Sequence, residues 1–305
     1  MKYLLYEDGK LIENTLGSNQ CLWDGLFSKV NKDGYLIKYL ETIMPKNMII
    51  LIPKSDGNIN SNSNYYHDIN FDNIKPFIEM AKQKNKIFVI GILCNVIEES
   101  DINYLYLPLD DEIFNFGINK LINNNIKWEN KLNDLFWRGG CSGIGNNNSL
   151  RVKVIKHIYN NYNKNTNMRL SYWWSENKNI PCELFADRVN YSEFTKYKIF
   201  FIIDGNCIAS NHMFGFTTGS IPFVISNGIH WFSNLIKPFI HYIPIKYDLS
   251  DLIYWINYIN NNDLYAKKIA DNALEFSTIY FSSDYQKEYL KTSLNKLSNQ
   301  SEKLN

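Results

Sequence analysis

Two stretches of this sequence have the residue types and spacing to hold a phosphorylated ligand. In the first, Leu135-Phe136-Trp137-Arg138 runs into Gly139-Gly140-Cys141-Ser142-Gly143, and Ser149 and Arg151 follow. In the second, Lys196 to Ile225, the apolar run Ile199–Ile203 gives way to Asp204-Gly205-Asn206. Glycine lets a backbone turn tightly and approach a ligand closely. N–H groups exposed at a strand-to-helix turn suit an anion. Arg151 falls in the first turn of a predicted helix, where a cation opposes the helix dipole, and a nearby anion would explain it. Arg138, at the end of its strand, points to the same place. Two such turns at one sheet edge, around 139–143 and 204–211, could hold a diphosphate. The plainer alternative is a glycine hairpin with two surface arginines and an ordinary Asp-Gly turn.

The elements that must position these residues are legible from apolar patterning. Ile199–Ile203 reads as a buried strand, Ile208–Phe216 as a short helix, and Ile221–Ile225 as a second strand after Gly219-Ser220. That is a β-α-β unit, and in an open parallel sheet its first turn lies where ligands bind. The strand from Leu135 leads through the glycine turn to a helix over 149–160, with Ser149 as its cap.

Earlier in the chain, Tyr3–Tyr6 and Lys10–Ile12 flank an Asp8-Gly9 turn and predict a hairpin. Helical spacing over 22–43, broken near 31–34, is followed by a strand over Met48–Ile52 and a helix over 74–84. Further extended pieces are predicted over Ile87–Leu93 and Tyr104–Leu107. Strands this apolar, alternating with helices, predict a parallel sheet covered on both faces. Asn123–Lys131 reads as a linker. Asp248 is expected to cap a helix over Leu249–Ile259, with helices over 263–276 and 284–297 closing the chain.

Composition bounds the function classes. The chain has 305 residues, with 32 Lys and Arg against 31 Asp and Glu, a net charge of +1. That balance supplies no global attraction to nucleic acid or an acidic membrane. The aromatic share of 15% fits an ordinary core and also suits sugar recognition by ring faces. Five scattered cysteines without a C-x-x-C or a His cluster predict neither a zinc site nor a disulfide framework. The start, MKYLLYEDGK, lacks an apolar h-region, and the apolar run Ile87–Ile97 is too short to span a bilayer. A cytoplasmic setting without a membrane span is therefore expected. Tracts such as NNYNKNTN read as loop filler from an AT-rich genome.

The second half resembles glycosyltransferase family 90, the protein O-glucosyltransferase and capsule-xylosylation group. The resemblance rests on Phe136-Trp137-Arg138-Gly139, Ser142-Gly143 and Arg151, then Lys196-Tyr197-Lys198 before Asp204-Gly205. It continues with Gly219-Ser220, Trp231, Lys237-Pro238, His241-Tyr242-Ile243-Pro244, Asp248-Leu249-Ser250-Asp251-Leu252 and Ile269-Ala270, in family order over roughly 128–290. Residues 1–127 match weakly.

The resemblance implies an α/β, GT-B-like fold of two Rossmann-like domains facing across a cleft. Residues 1–127 would be the acceptor domain and 128–283 the nucleotide-sugar domain, with 284–305 a C-terminal helix packing back on the first. It implies an inverting transferase that needs no metal and no cofactor beyond its UDP-sugar donor. The sequence has no strict D-x-D; Asp110-Asp111-Glu112 lies in the wrong half to clamp a diphosphate. Asp56, shortly after the Met48–Ile52 strand, best matches the family's catalytic base. Asp56-Gly57 is equally a plain turn dipeptide.

The implied donor contacts are Arg138, Gly139, Gly140, Ser142, Gly143, Arg151, Asp204, Gly205, Asn206, Ala209, Ser210 and Asn211. At the last of these the family's S-x-R pattern is broken, because Asn211 stands at the arginine position. Asn cannot copy a bidentate phosphate contact. Either Arg138, Arg151 or His212 substitutes, or the donor binds differently, or the chain is an inactive relative.

Three readings follow. One is a transferase moving a hexose or pentose, glucose or xylose, to a hydroxyl of a glycan or protein acceptor. The second is another enzyme on the same architecture, such as an epimerase, against which the G-x-G-x-x-G fingerprint is missing. The third is a non-catalytic nucleotide- or sugar-binding relative. The Asn-rich, AT-biased character suits a large DNA virus or similar microbe building surface glycans, in which case the setting is the host cytoplasm.

Overall fold

A computed structural model describes residues 3–15, 21–23, 30–31, 33–54, 69–92, 102–108, 114–115, 126–143, 148–162, 166–171, 180–205, 209 and 211–301. In chain order the strands and α-helices are β1 Tyr3–Glu7, β2 Lys10–Asn14, β3 Cys21–Trp23, β4 Val30–Asn31, α1 Tyr35–Ile43, β5 Met48–Pro53, α2 Lys75–Gln83, β6 Ile87–Ile92 and β7 Asn103–Tyr106. There follow β8 Leu135–Gly139, α3 Leu150–Asn161, β9 Thr166–Ser171, β10 Phe185–Ala186, α4 Tyr191–Phe194, β11 Ile199–Ile203, α5 His212–Gly215, β12 Ile221–Ile225, β13 Ile243–Pro244, α6 Leu252–Asn261, α7 Asp263–Tyr280 and α8 Ser283–Ser301. None of the described helices is long and apolar enough to cross a membrane.

The chain forms two compact units. The first comprises Met1–Gly117, Gly228–Ser233 and Tyr280–Asn305. Its sheet has the order β2-β1-β5-β6-β7. The parallel pairing expected of the strands at Met48, Ile87 and Tyr104 holds, and so does the hairpin expected at Asp8-Gly9. β5, β6 and β7 run parallel, but β1 is antiparallel to both β2 and β5. A two-residue turn can only reverse a strand, and Asp8 (φ 53) with Gly9 (φ 78) makes that turn. A Cβ on Gly9 would stand 2.6 Å from the Glu41 carbonyl oxygen. β5 is buried along its whole length, as expected of a strand covered on both faces. The C-terminal α8 belongs to this unit: Tyr289 donates its hydroxyl to the Tyr106 carbonyl at 3.0 Å.

The second unit comprises Ile118–Asn227 and Asn234–Ile279. It contains two parallel three-stranded sheets, β10-β9-β8 and β11-β12-β13. A parallel bridge between Leu132 and Tyr197 joins them just ahead of β8 and β11. Across that bridge the order is β10-β9-β8-β11-β12-β13. Renumbered within the unit, this is 3-2-1-4-5-6, the doubly wound order whose switch point lies between its first and fourth strands. The turns that leave β8 and β11 are therefore adjacent because of topology. The stacked rings of Phe136 and Tyr197, 4.5 Å apart at 5°, pack the same seam.

A buried lysine braces the other end of the seam. Lys131, 5% exposed, donates its Nζ to the carbonyls of Thr195 (2.5 Å) and Thr218 (3.0 Å) and to Ser220 Oγ (3.1 Å). Burial pulls its pKa down to about 8, and all three partners are neutral oxygens. Lys131→Met removes the donor and leaves two buried carbonyls short of a partner, at about 1–3 kcal/mol each. A destabilisation of about 3 kcal/mol is expected in urea unfolding, and an unchanged midpoint would show that the brace contributes nothing net.

One local expectation shifts. The helix expected over Leu249–Ile259 begins at Leu252, because Asp248 Oδ1 accepts from Ser250 N (3.0 Å) and Asp251 Oδ1 from Lys246 N (3.0 Å). These side chains fold a turn ahead of the helix and do not cap it. Of the helix expected over Ile208–Phe216, the described residues show His212–Gly215, and Ile208 and Ser210 lie outside them.

Candidate active site

The site is built at the switch point of the second unit. Leaving β8, Gly139 packs on the Trp137 ring so closely that a Cβ would lie 2.5 Å from it. The chain turns through Gly140–Gly143, with Gly143 at φ 132, a conformation that favours glycine. Ser149 is the N-cap residue of α3 by position, yet its side chain makes no cap bond. It is buried and donates to the Cys141 carbonyl at 3.0 Å, fastening the turn to the helix.

Arg151, in the first turn of α3, ties this turn to the one that leaves β11. Its Nη1 donates to Ser142 Oγ (2.7 Å) and to the Gly140 carbonyl (3.2 Å), and its Nε to the Ile203 carbonyl (3.2 Å). Its guanidinium carbon lies 5.8 Å from the centre of the Trp137 ring. Gly205 stands opposite, where a Cβ would be 2.9 Å from Ser142 Oγ and 3.0 Å from Arg151 Nη2. A Cβ on Gly143 would be 3.1 Å from the Gly205 carbonyl oxygen. The two glycine turns thus close on each other around one guanidinium.

Beside them Asp204 is buried at 7% exposure, and its Oδ2 accepts from Asn227 N at 3.2 Å. Burial pushes its pKa up to about 6, against the opposing pull of Ser226, Asn227, Arg151 and the Ala209 backbone. Tyr247, 49% exposed, feels this carboxylate: burial first and then the Asp204 charge raise its pKa. The dipole argument for Arg151 thus has an answer within the chain, in carbonyl oxygens and a buried carboxylate.

The structure brings together Gly140, Ser142, Gly143, Arg151, Asp204, Gly205 and Ala209. The expectation that Arg138 points to the same place is corrected. It follows Trp137 in a strand, so its side chain leaves the opposite face. Its Nη2 donates to Asn167 Oδ1 at 2.6 Å and its Nη1 to the Asn167 and Trp137 carbonyls. It stands over the Phe136 ring at 5.0 Å and pairs in register with Arg169. Asn211 is the residue ahead of α5, and its carbonyl accepts from Gly215 N at 3.0 Å.

His212 cannot take the missing arginine's charge. Wholly buried against the Phe216 ring, it is held to a pKa of about 3 by desolvation and is neutral. Asp56, Asn206 and Ser210 lie outside the described residues. Trp137 and Tyr247 are the site residues that the sequence reading missed. Strand alternation from Arg138 would have found the first; nothing local marks the second. Among the described residues no group of three His, Cys, Asp or Glu side chains is placed to hold a metal ion.

Residues 117–302 match the model of glycosyl transferase family 90. The chain is 28% identical over 207 residues to uncharacterized protein 179R of Invertebrate iridescent virus 6, an alignment spanning 57% of this chain and 18% of that protein. It is 28% identical over 159 residues to protein O-glucosyltransferase 2 of Danio rerio, spanning 52% of this chain and 31% of that one. The chain thus spans less than a third of either relative's length. A glycosyltransferase from Rickettsia africae ESF-5 superposes at a TM-score of 0.49 and 13% identity, over 86% of this chain and 73% of the other. Because the matched region runs through both strand-turn units and over more than half of the sequence, the chain belongs to glycosyl transferase family 90.

Proposed function

We propose that this chain is an inverting, metal-independent glycosyltransferase of GT-B plan. It would move a glucose or xylose unit from a UDP-sugar to a hydroxyl of a glycan or protein acceptor. The observation that supports this reading best is the pair of glycine turns meeting around Arg151 at the switch point of a doubly wound sheet. Such a place offers backbone N–H groups and one fixed cation to a leaving diphosphate as its charge develops. Of the three residues that could replace the family's arginine at Asn211, Arg151 is the one set at both turns.

In the proposed reaction the Asp56 carboxylate takes the proton of the acceptor hydroxyl. The acceptor oxygen forms a bond to the sugar's anomeric carbon from the face opposite the diphosphate. The bond from that carbon to the diphosphate oxygen breaks, and UDP leaves with the electron pair. Asp204, charged above its raised pKa, lies where it could accept a hydrogen bond from a donor hydroxyl or hold Arg151 in place.

Asn211 favours a second reading, a binding relative without turnover. Binding and hydrolysis of UDP-glucose, UDP-xylose, UDP-GlcNAc and a GDP-sugar, measured with EDTA present, separate the two. The transferase reading expects one UDP-sugar to bind and hydrolyse slowly, with Asp56→Asn keeping affinity and losing turnover by about 100-fold or more. Binding without hydrolysis by the wild type would install the second reading, and loss of turnover under EDTA would overturn metal independence.

A further inference from the structure

In the second unit, five aromatic rings that the candidate site does not include join into one surface. Tyr254, Trp255 and Tyr258 rise from α6, with Trp255 5.2 Å from Tyr254 and 5.6 Å from Tyr258. Phe239 extends the row on one side, 5.1 Å from Trp255, and Tyr265 on the other, 5.9 Å from Tyr258. Three of the rings are exposed, Tyr254 at 60%, Phe239 at 41% and Tyr258 at 37%, and Trp255 and Tyr265 are half-buried beside them. Patches of contiguous exposed aromatic surface mark binding sites more often than single exposed rings do.

Phe239 is held there against its backbone preference. Its φ is 62, a region costing a non-glycine residue about 1–2 kcal/mol. A tight knot fixes it: Phe239 N donates to the Tyr242 carbonyl at 2.7 Å, and His241 Nδ1 accepts from Lys237 N at 2.9 Å. The Tyr265 hydroxyl and the Asn272 amide bond the carbonyls of Phe239 (3.4 Å) and Ile240 (3.0 Å). Strain kept in an exposed aromatic by so many bonds is a sign of use.

Charge selects the occupant. The ten residues of α6, Leu252–Asn261, include no charged side chain; its outward positions are Tyr254, Asn257, Tyr258 and Asn261. A helix face that is solvent-exposed is normally laced with charge. Nucleic acids and acidic chains need cations, and α6 brings none to this face. Rings beside neutral amides match a pyranose, whose C–H faces stack on aromatics while its hydroxyls pair with amides.

We propose that the surface formed by Phe239, Tyr254, Trp255, Tyr258 and Tyr265 binds a neutral oligosaccharide, the extended part of a glycan acceptor. The inference deepens the transferase reading and rests on it for the word acceptor; the binding itself is testable alone. The full chain is titrated by calorimetry with maltoheptaose, cellohexaose, xylohexaose and chitohexaose, with a heparin hexasaccharide as anionic control. At least one neutral chain is expected to bind, and heparin is not. The double variant Tyr254→Ser, Tyr258→Ser should weaken that binding at least tenfold. Phe239→Asn, which tolerates positive φ, should weaken binding while keeping or raising Tm.

Absence of binding by all four, or binding that survives both variants, overturns the inference. So does sedimentation equilibrium in which the wild type self-associates through this face and the tyrosine variant is monomeric. Donor hydrolysis by the wild type is scored separately. Hydrolysis without oligosaccharide binding sinks this inference and leaves the transferase reading standing; oligosaccharide binding without hydrolysis does the reverse.

Discussion

Asp204→Asn is expected to make the protein more stable at pH 8 by about 3 kcal/mol and to lower the proposed transferase activity at least tenfold. Burial raises the Asp204 pKa from 3.8 in the open chain to about 6 in the fold. Below 3.8 the carboxyl is protonated in both states, and folding carries no charge penalty. Between 3.8 and about 6 the folded protein keeps a proton that the unfolded chain has lost, so stability falls as pH rises through that window. Above it the deficit is constant: the gap of 2.2 between 3.8 and about 6, at about 1.36 kcal/mol per pH unit, gives about 3 kcal/mol. Asparagine does not titrate and keeps an oxygen for Asn227 N. Its advantage should therefore be near zero at pH 4, growing to the full value by pH 7. Urea unfolding of both proteins at pH 4, 6 and 8 reads this directly. Equal stability at pH 8 would mean that the carboxylate is solvated or compensated after all. A buried charge that costs this much, beside Arg151 at a switch point, is the kind that function retains.

The parts of this arrangement that were legible in the sequence are those fixed by short-range rules. Ile199–Ile203 and Ile221–Ile225 are apolar at every position but Pro222, and both form fully buried parallel strands. The hairpin at Asp8-Gly9 is written in its turn residues. β9, Thr166–Ser171, was hidden because it emerges from an Asn-rich tract that reads as loop. Only Met168 and Leu170 alternate to mark it, and it pairs with β8 residues about 30 positions away. The placement of Arg138 failed for a different reason. Its proximity to Gly139 along the chain suggested the glycine turn, whereas the two-residue period of a strand sends it to the face that Trp137 leaves vacant. The short α5 falls within the helix expected there. Gly215 fits where a Cβ would be 2.7 Å from Ile202, so close packing on β11 sets that segment more than helical propensity does. That the two turns share one sheet edge was expected from the pair of strand-turn units; how closely they meet depends on strand order, which no local pattern carries.

That adjacency makes Gly205 the position with the least tolerance. A methyl group there would meet Ser142 Oγ at 2.9 Å, Arg151 Nη2 at 3.0 Å and Arg151 Cζ at 3.1 Å. These atoms are not free to swing away singly, because Arg151 Nη1 already holds Ser142 Oγ at 2.7 Å. Gly205→Ala must push the pair apart or displace the turn, and Gly205→Val must do both. We expect stability losses of about 1 and 3 kcal/mol respectively. A much larger loss is expected in affinity for the proposed donor: at least tenfold for Ala and no measurable binding for Val. The discriminating protein is the double variant Gly205→Ala, Ser142→Gly, which restores the space that the methyl group takes. If the turns hold the diphosphate through their backbones, this double variant should recover most of the affinity that Gly205→Ala loses. Arg151→Lys keeps the charge but has no fork to reach Gly140, Ser142 and Ile203 together, so it should bind UDP poorly despite its cation. Calorimetric titration of the wild type and these four variants with UDP decides the matter. Wild-type affinity in Gly205→Ala would remove the diphosphate from these turns, and an unrescued double variant would place the lost affinity in the Ser142 hydroxyl, not in the shape of the backbone.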